Sequence, residues 1–137
     1  MSDELHIRAA VEKLDEVLDF VNVHLEGWDC PQKTLFQLDV AVEEIYVNVA
    51  HYAYGEEGGG DVTIRIELDM DRKRVSITFT DSGIPYDPLA KPDPDVNASL
   101  EERPIGGLGI YMVKKSMDDV VYARIGDTNN LTLVKNL

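Results

Sequence analysis

The chain has 137 residues, a length typical of a single domain, and we expect one domain over residues 1–137. Its 13 Lys and Arg residues against 26 Asp and Glu residues give a formal net charge of −13 at pH 7. A surface this acidic repels phosphate backbones and anionic lipid headgroups. The charge therefore argues against direct binding of nucleic acid or of a membrane.

The single cysteine, Cys30, excludes an internal disulfide and a cysteine-based metal cluster, which suits a reducing compartment. The N-terminus lacks the basic segment of a signal peptide. No apolar run approaches the ~18 residues that a membrane-spanning helix needs. These features predict a cytoplasmic protein.

The first half of the chain predicts a short strand followed by two helices. Apolar and polar residues alternate over residues 5–9, as in a strand with one buried face. Apolar residues then recur every three or four positions in a first helical stripe, comprising Val11, Leu14, Leu18, Val21 and Leu25. A second stripe predicts a helix from about Pro31 to Tyr54, comprising Leu35, Leu38, Val42, Ile45 and Val49.

The second half predicts strands at 62–68 and 75–81, a short helix at 108–117, and a strand pair around a turn at 126–130. Residues 82–107 lack periodicity and hold five of the six prolines, which is typical of a lid, a binding loop or disorder. Helices and strands are mixed without strict alternation. This order favours an α+β sandwich, with helices on one face of a mostly antiparallel sheet.

Two polar residues interrupt the second helix at a spacing that places them on one face. Glu44 and Asn48 are four residues apart, and His51 follows. A carboxylate beside an amide oxygen suits a general base and a magnesium ligand. The alternative is an ordinary solvated helix face, which is our interpretation of the neighbouring Glu43.

Asp81 ends the second strand on the same side as the apolar residues Ile77 and Phe79. A carboxylate facing the core needs a hydrogen-bond donor, and the exocyclic amino group of a purine is one candidate. The following Gly83 would let the backbone approach a ligand closely. The alternative is that Asp81 only caps the turn by accepting from neighbouring backbone amides.

A glycine-rich segment, residues 106–109, leads into the short helix. Free backbone amides at a helix N-terminus form an anion site, although such glycines also serve as a flexible start to a helix. No Gly-Lys-Ser/Thr follows and no strand precedes it, which excludes a Walker A loop and a Rossmann fingerprint. Together and in this order, the three sets of residues favour a nucleotide site.

The same three segments resemble the motifs of a known family. Residues 43–48 (EEIYVN) resemble the N box of the GHKL ATPases, the group of DNA gyrase, histidine kinases and MutL. Residues 81–88 (DSGIPYDP) and 106–110 (GGLGI) resemble the G1 and G2 boxes of their anti-sigma-factor branch. The chain is thus similar to the anti-sigma factor serine/threonine kinases over nearly its whole length.

The resemblance implies a Bergerat-type ATP-binding fold with a long ATP lid, and ATP and Mg²⁺ as cofactors. It implies that Glu44 is the general base, that Asn48 is the magnesium ligand, and that Arg103 in the lid stabilises charge on the transferring phosphoryl group. The positions implied to contact the nucleotide are Asn48, Tyr52, Asp81, Gly83, Ile84, Pro85, Gly107, Leu108, Gly109 and Ile110.

The implied function is a Mg-ATP-dependent protein kinase that phosphorylates an anti-anti-sigma (STAS-type) partner and sequesters a sigma factor, commonly as a homodimer. One alternative is a non-catalytic nucleotide-binding module that only captures partners. Another, the detached ATP-binding half of a sensor histidine kinase, is disfavoured because no phospho-accepting histidine helix precedes the domain. The stripe formed by Leu14, Leu18, Val21 and Leu25 could form a dimer face or pack on the sheet.

The sequence also departs from the family pattern at two places near the expected site. Tyr52 stands where the family often has a histidine, so a cation is lost there. Asn129 and Asn130 replace a common Gly-Thr pair, which puts one water-mediated adenine contact in doubt. Charge alone also suggests the acidic pairs Asp93/Asp95 and Glu56/Glu57 as faces for basic elements of a sigma factor.

Overall fold

A computed structural model describes residues 2–28, 30–54, 59–90 and 107–137. The helices are α1 (Leu14–Glu26), α2 (Gln32–Tyr52) and α3 (Gly107–Ser116), and the strands are β1 (Ser2–Arg8), β2 (Asp61–Asp69), β3 (Arg74–Asp81), β4 (Asp119–Ile125) and β5 (Thr128–Asn136). Short 3₁₀ turns occupy Val11–Lys13 and Pro88–Ala90. The predicted elements are thus confirmed in type and order.

The five strands form one antiparallel sheet in the order β1-β2-β3-β5-β4. In β2 and β3 every second residue is buried, including Ile64, Ile66, Ile77 and Phe79, while their neighbours are exposed or partly exposed. The three helices pack on this buried face and complete the core. The predicted α+β fold, with helices on one face of an antiparallel sheet, is confirmed.

The apolar stripe of α1 packs into the core. Val21 and Leu25 are 0% and 1% exposed, and Leu14 and Leu18 pack against the same cluster with part of their surface covered. The stripe therefore packs within the chain, and a homodimer stays a prediction that this stripe does not support. No helix in the described ranges combines the length and apolar character needed to cross a bilayer.

The final hairpin differs from the prediction. The expected turn at 126–130 is only two residues long, because Gly126 adopts a φ of 58° and the strands pair again at Ile125 and Thr128. Asn129 and Asn130 consequently lie inside β5. Asn129 pairs with Asp81 of β3 on one side and with Arg124 of β4 on the other.

Tyr46 of α2 connects the helix layer to the end of β1. Its ring is fully buried, and its hydroxyl lies 2.8 Å from the carbonyl oxygen of Arg8 and 2.7 Å from that of Ala10. The same hydroxyl accepts a hydrogen bond from the Ala10 N–H at 3.2 Å. Burial raises the pKa of this phenol, so the neutral donor form persists.

His24 of α1 connects that helix to the first residues of β1. Its Nδ1 lies 2.7 Å from the Phe20 carbonyl oxygen and its Nε2 lies 2.8 Å from a carboxylate oxygen of Asp3. Both nitrogens can donate only in the protonated ring. The hydrogen bond to Phe20, followed by that to Asp3, raises the pKa of His24 against the effect of burial. The His24 hydrogen bond lowers the pKa of Asp3.

Replacing Tyr46 by Phe should lower the free energy of unfolding by about 1 to 3 kcal/mol, because the hydroxyl that hydrogen-bonds to the carbonyl oxygens of Arg8 and Ala10 is lost. Urea unfolding followed by circular dichroism measures this loss. Tyr111→Phe is the matched control, since the Tyr111 ring is partly exposed and contacts the Lys115 ammonium group. Equal stability of the Y46F variant and the parent would contradict the role given to this hydroxyl.

The link between His24 and Asp3 should make the parent most stable between about pH 3.8 and 6.5, the ordinary pKa values of the two groups. Since the folded pKa of His24 is raised, its contribution is complete below 6.5 and lost as pH rises through the raised value. The Asp3 contribution is present above 3.8 and lost as pH falls through its lowered value.

Thermal melts from pH 5 to 8.5 measure the loss of stability that we attribute to deprotonation of His24. His24→Gln should flatten the loss of melting temperature above pH 6.5, whereas His6→Gln, on the neighbouring β1 surface, should leave it in place. A parent-like slope in the H24Q variant would show that another group causes the loss.

Candidate nucleotide site

One end of the candidate site lies on α2, where Glu44 and Asn48 face the same side. The Asn48 side-chain nitrogen donates to the Glu44 backbone oxygen at 2.9 Å and to the Glu44 carboxylate oxygen Oε1 at 3.2 Å. These bonds hold the Asn48 amide in one orientation. Asn48 Oδ1 accepts no hydrogen bond from any described residue. Glu43, by contrast, is exposed, as predicted.

The first turn of α3 packs directly against the Glu44 carboxylate. A Cβ atom added to Gly109 would overlap both carboxylate oxygens of Glu44, so a larger residue here would displace this flexible side chain. Ile110 is buried in the core and anchors the turn. The side chain of Leu108 is outside the described residues, as are Gly106 and Arg103. The N-terminal amides of α3 nevertheless lie at the same end of the site as Glu44 and Asn48.

Asp81, at the other end, is 5% exposed and lies on the helix-facing side of β3, as predicted. Its oxygen Oδ1 accepts hydrogen bonds from the Gly83 N–H and from the Asn129 side-chain nitrogen, both at 2.9 Å. Asp81 therefore does cap its own turn, the alternative considered above. Its second oxygen, Oδ2, receives no donor from the described part of the chain, so one acceptor remains.

A cavity between α2 and the sheet joins the two ends. Asn48 and Asp81 both line it, and its apolar walls include Ile45, Phe79 and Leu131. Its volume is about 30 Å³, which is room for roughly one or two water molecules. A purine base is larger, so binding one here requires a wall of the cavity to move.

Tyr86 is the wall best placed to move, because it is partly exposed and lies on the loop after β3. Its ring stacks on Tyr52 of α2, with centroids 5.3 Å apart and planes at 29°. Tyr52 is 49% exposed, so the pair lies at the outer edge of the cavity. The structure thus places Tyr52 beside the candidate site, in contact with Tyr86, for which the sequence predicted no role.

Gly83 and its neighbours contact the C-terminal end of α2. A Cβ atom added to Gly83 would overlap the backbone carbonyl of Ala53, and the Ile84 N–H donates to that carbonyl oxygen at 2.8 Å. In the described residues, Gly83 therefore allows its own backbone to lie against the backbone of Ala53. Close approach to a ligand at Gly83 stays a prediction. The Ile84 side chain is 60% exposed and Pro85 is also exposed.

Asn129 is a partner of Asp81 that the sequence did not predict. This residue is 5% exposed and its side chain hydrogen-bonds to Asp81, Ile84, Tyr122 and Arg124. Its place in the sequence reveals little, because its importance comes from the pairing of β5 with β3. A signal was present in the alternation of Asn129 with the apolar residues Leu131 and Leu133.

The two lysines of α3 do not lie near its N-terminal amides. Lys114 and Lys115 occupy the last turn, about 10 Å along the helix axis from Gly107. Lys115 lies over the ring of Tyr111, with 5.5 Å between its ammonium nitrogen and the ring centroid. The N-terminal end of α3 contributes positive character near Glu44 through the helix dipole.

The donor atoms fit magnesium and an adenine nucleotide. No group of three His, Cys, Asp or Glu side chains in the described ranges is arranged around a metal position. Magnesium in phosphoryl-transfer sites commonly takes one or two protein oxygens and completes its shell with phosphates and water. Asn48 Oδ1 suits such a role, and Asp81 Oδ2 suits an amino-group donor.

Comparison with known proteins agrees with this geometry. The family described as "Histidine kinase-like ATPase domain" matches residues 7–135. The chain is 29% identical over 101 residues to the serine/threonine-protein kinase BtrW of Bordetella bronchiseptica, covering 74% of this chain and 70% of BtrW. It is 33% identical over 87 residues to the serine-protein kinase RsbW of Bacillus cereus, covering 61% of this chain and 52% of RsbW.

Among solved structures, the RsbU and RsbW domains of Rv1364c from Mycobacterium tuberculosis superpose with a TM-score of 0.68. The match covers 98% of this chain and 32% of that chain, at 14% sequence identity, and shows a shared fold. Together with the matched motifs, these relations confirm the resemblance drawn from the sequence. The chain belongs to the histidine kinase-like ATPase domain family.

Proposed function

We propose that residues 1–137 act as one Mg-ATP-dependent serine/threonine protein kinase domain with an anti-sigma regulatory role. The observation that carries the proposal is the single cavity lined by both Asn48 and Asp81, with Glu44 held beside Asn48 and against α3. This arrangement places a pocket for the adenine ring, a magnesium ligand and a general base next to one another. Its relatives named as serine/threonine-protein and serine-protein kinases support the same activity.

The base would enter between α2 and the sheet, after displacement of Tyr86. Asp81 Oδ2 accepts a hydrogen bond from the 6-amino group of adenine. The 6-oxo group of guanine has no proton to donate, so guanine would not form this hydrogen bond. The apolar walls, including Ile45 and Phe79, take the faces of the ring. Gly83, Ile84, Pro85 and Tyr52 border this end and contact the nucleotide from outside.

At the other end, the α3 amides of Gly107, Leu108, Gly109 and Ile110 hold the phosphates, because helix N-termini attract anions. Asn48 Oδ1 would hold magnesium, which would supply neutralisation of the phosphate charge. Glu44 accepts the proton of the attacking serine or threonine hydroxyl. Arg103 from the lid stabilises charge on the phosphoryl group. Positioning and charge stabilisation account for most of such catalysis.

The partners in this proposal are a STAS-type anti-anti-sigma protein as phosphoryl acceptor and a sigma factor as captured protein. The setting is the cytoplasm and the form is a homodimer. In Rv1364c, an RsbW domain of the same fold occurs in one chain with an RsbU domain, which supports a role together with other proteins. The acidic pairs Asp93/Asp95 and Glu56/Glu57, suggested as sigma-factor faces, lie outside the described residues.

A second candidate is a non-catalytic nucleotide-binding module that captures partners without phosphorylating them. The exposed stack of Tyr52 on Tyr86 favours this reading in one respect, since nucleotide entry would change a surface that a partner could sense. The intact Glu44–Asn48 pair favours the kinase instead. The two candidates differ in one measurable property, phosphoryl transfer.

Replacing Glu44 by Gln should reduce transfer to a STAS-type partner at least about 100-fold, because the proton acceptor is lost. ATP affinity should change less than about threefold, since Gln keeps the oxygen that accepts from Asn48. Transfer is measured with radiolabelled ATP and affinity by calorimetry. Glu43→Gln, which removes the same charge from an exposed neighbour, is the control. Absence of transfer by the parent as well would favour the capture module.

Replacing Asn48 by Ala should weaken ATP binding in magnesium at least about tenfold, because one protein ligand of the metal is removed. In excess EDTA the parent and the variant should bind ATP with affinities within about threefold of each other. Calorimetric titrations under both conditions make the comparison. An equal loss of ATP affinity with and without magnesium would show that Asn48 supports folding or contacts the adenine ring. It would contradict a role as a magnesium ligand.

A further inference from the structure

We propose that Asn129 is the residue that orients Asp81 and thereby sets the selectivity of the base pocket for adenine. This inference rests on the proposed nucleotide-binding function and adds a positioning residue to it. Asn129 lies directly opposite Asp81 in the β3–β5 ladder, and both side chains are 5% exposed. No other described side chain donates to the Asp81 carboxylate.

The hydrogen bonds determine which way the Asn129 amide points. Its nitrogen donates to Asp81 Oδ1 at 2.9 Å and to the Ile84 carbonyl oxygen at 2.7 Å. Its oxygen accepts from the Tyr86 N–H at 3.3 Å, from Arg124 at 3.2 Å and from the Tyr122 hydroxyl. Turning the amide over would set oxygen against two acceptors and nitrogen against three donors. The observed orientation is therefore the one that satisfies all five contacts.

This arrangement leaves Asp81 with a single free acceptor. Oδ1 already receives two donors, the Gly83 N–H and the Asn129 nitrogen, and so the carboxylate cannot rotate without losing both. Oδ2 has no donor among the described residues, and Asp81 lines the cavity. An acceptor that is held in place discriminates better between an amino group and a hydrogen atom at position 6 of a purine than a rotating one does.

Asn129 itself has no hydrogen-bonding capacity left for a nucleotide. Both protons of its amide nitrogen are used, and its oxygen is shared by three donors. Its role is therefore to position Asp81, and not to contact the base. A threonine or serine at this place has one hydroxyl proton, which cannot serve Asp81 and the Ile84 carbonyl at once.

The same residue connects the loop after β3 to the edge of the sheet. Arg124 of β4 donates both to Asn129 and, at 2.9 Å, to the Gly83 carbonyl oxygen. The Tyr86 amide is attached through Asn129 as well. Asn129 therefore holds Asp81 and the backbone of the loop that walls the base pocket in one hydrogen-bonded unit.

The test compares ATP with purine riboside 5′-triphosphate, which differs only by a hydrogen atom in place of the 6-amino group. The parent should bind ATP at least about tenfold more tightly, the range expected for a hydrogen bond to a charged group. In Asn129→Asp, which replaces the donor by an acceptor, and in Asn129→Ser, this preference should fall to about threefold or less. Affinities come from calorimetry on variants whose circular dichroism matches the parent.

Asn130→Asp is the matched control, because it adds the same charge one residue away on the opposite face, where Asn130 accepts from Thr80. This variant should keep the parent's preference. A purely structural role for Asn129 would lower both affinities together and leave their ratio unchanged, and that result in either folded variant would overturn the inference. Failure of the parent to bind ATP at all would overturn the proposed function together with the inference.

Discussion

The packing of α2 against the sheet is the constraint on which the rest of the structure depends. Its buried residues Leu38, Val42 and Ile45 cover the apolar face of the strands. At one point Tyr46 connects the helix to the end of β1, and at its C-terminal end the Ala53 carbonyl oxygen receives the Ile84 amide. These contacts leave only a small gap between helix and sheet, and that gap is the candidate base pocket.

The same packing positions the polar residues of α2. Because Ile45 points into the core, Glu44 and Asn48 on the adjacent face come to the edge of the gap, where Gly109 of α3 meets Glu44. Two glycines make this possible for different neighbours: Gly83 allows a loop to lie on the end of α2, and Gly109 allows α3 to approach a carboxylate. A Cβ atom at Gly83 would overlap the Ala53 backbone, and one at Gly109 would displace the Glu44 side chain from its present position.

A net charge of −13 would oppose the binding of any anion, so attraction to a nucleotide must be local. The lysines of α3 lie in its last turn and do not supply it. The remaining sources among the described residues are the N-terminal amides of α3, whose dipole is favourable to phosphate, and the oxygens of Asn48 and Glu44 that can hold a cation. Among the described residues, the proposed site would therefore attract phosphate through backbone dipoles and through oxygens that could hold a cation.

Local sequence alone determined the elements and indicated much of the candidate site. The apolar periodicities of α1 and α2, the alternation of β2 and β3, and the four-residue step from Glu44 to Asn48 are properties of short segments, and each was predictable. The burial of Asp81 was predictable because it lies an even number of residues from Ile77 and Phe79 and therefore on the same face of the strand. Only tertiary structure decided that Asn129 faces Asp81 and that Gly109 touches Glu44, because strand register and helix approach depend on residues distant along the chain.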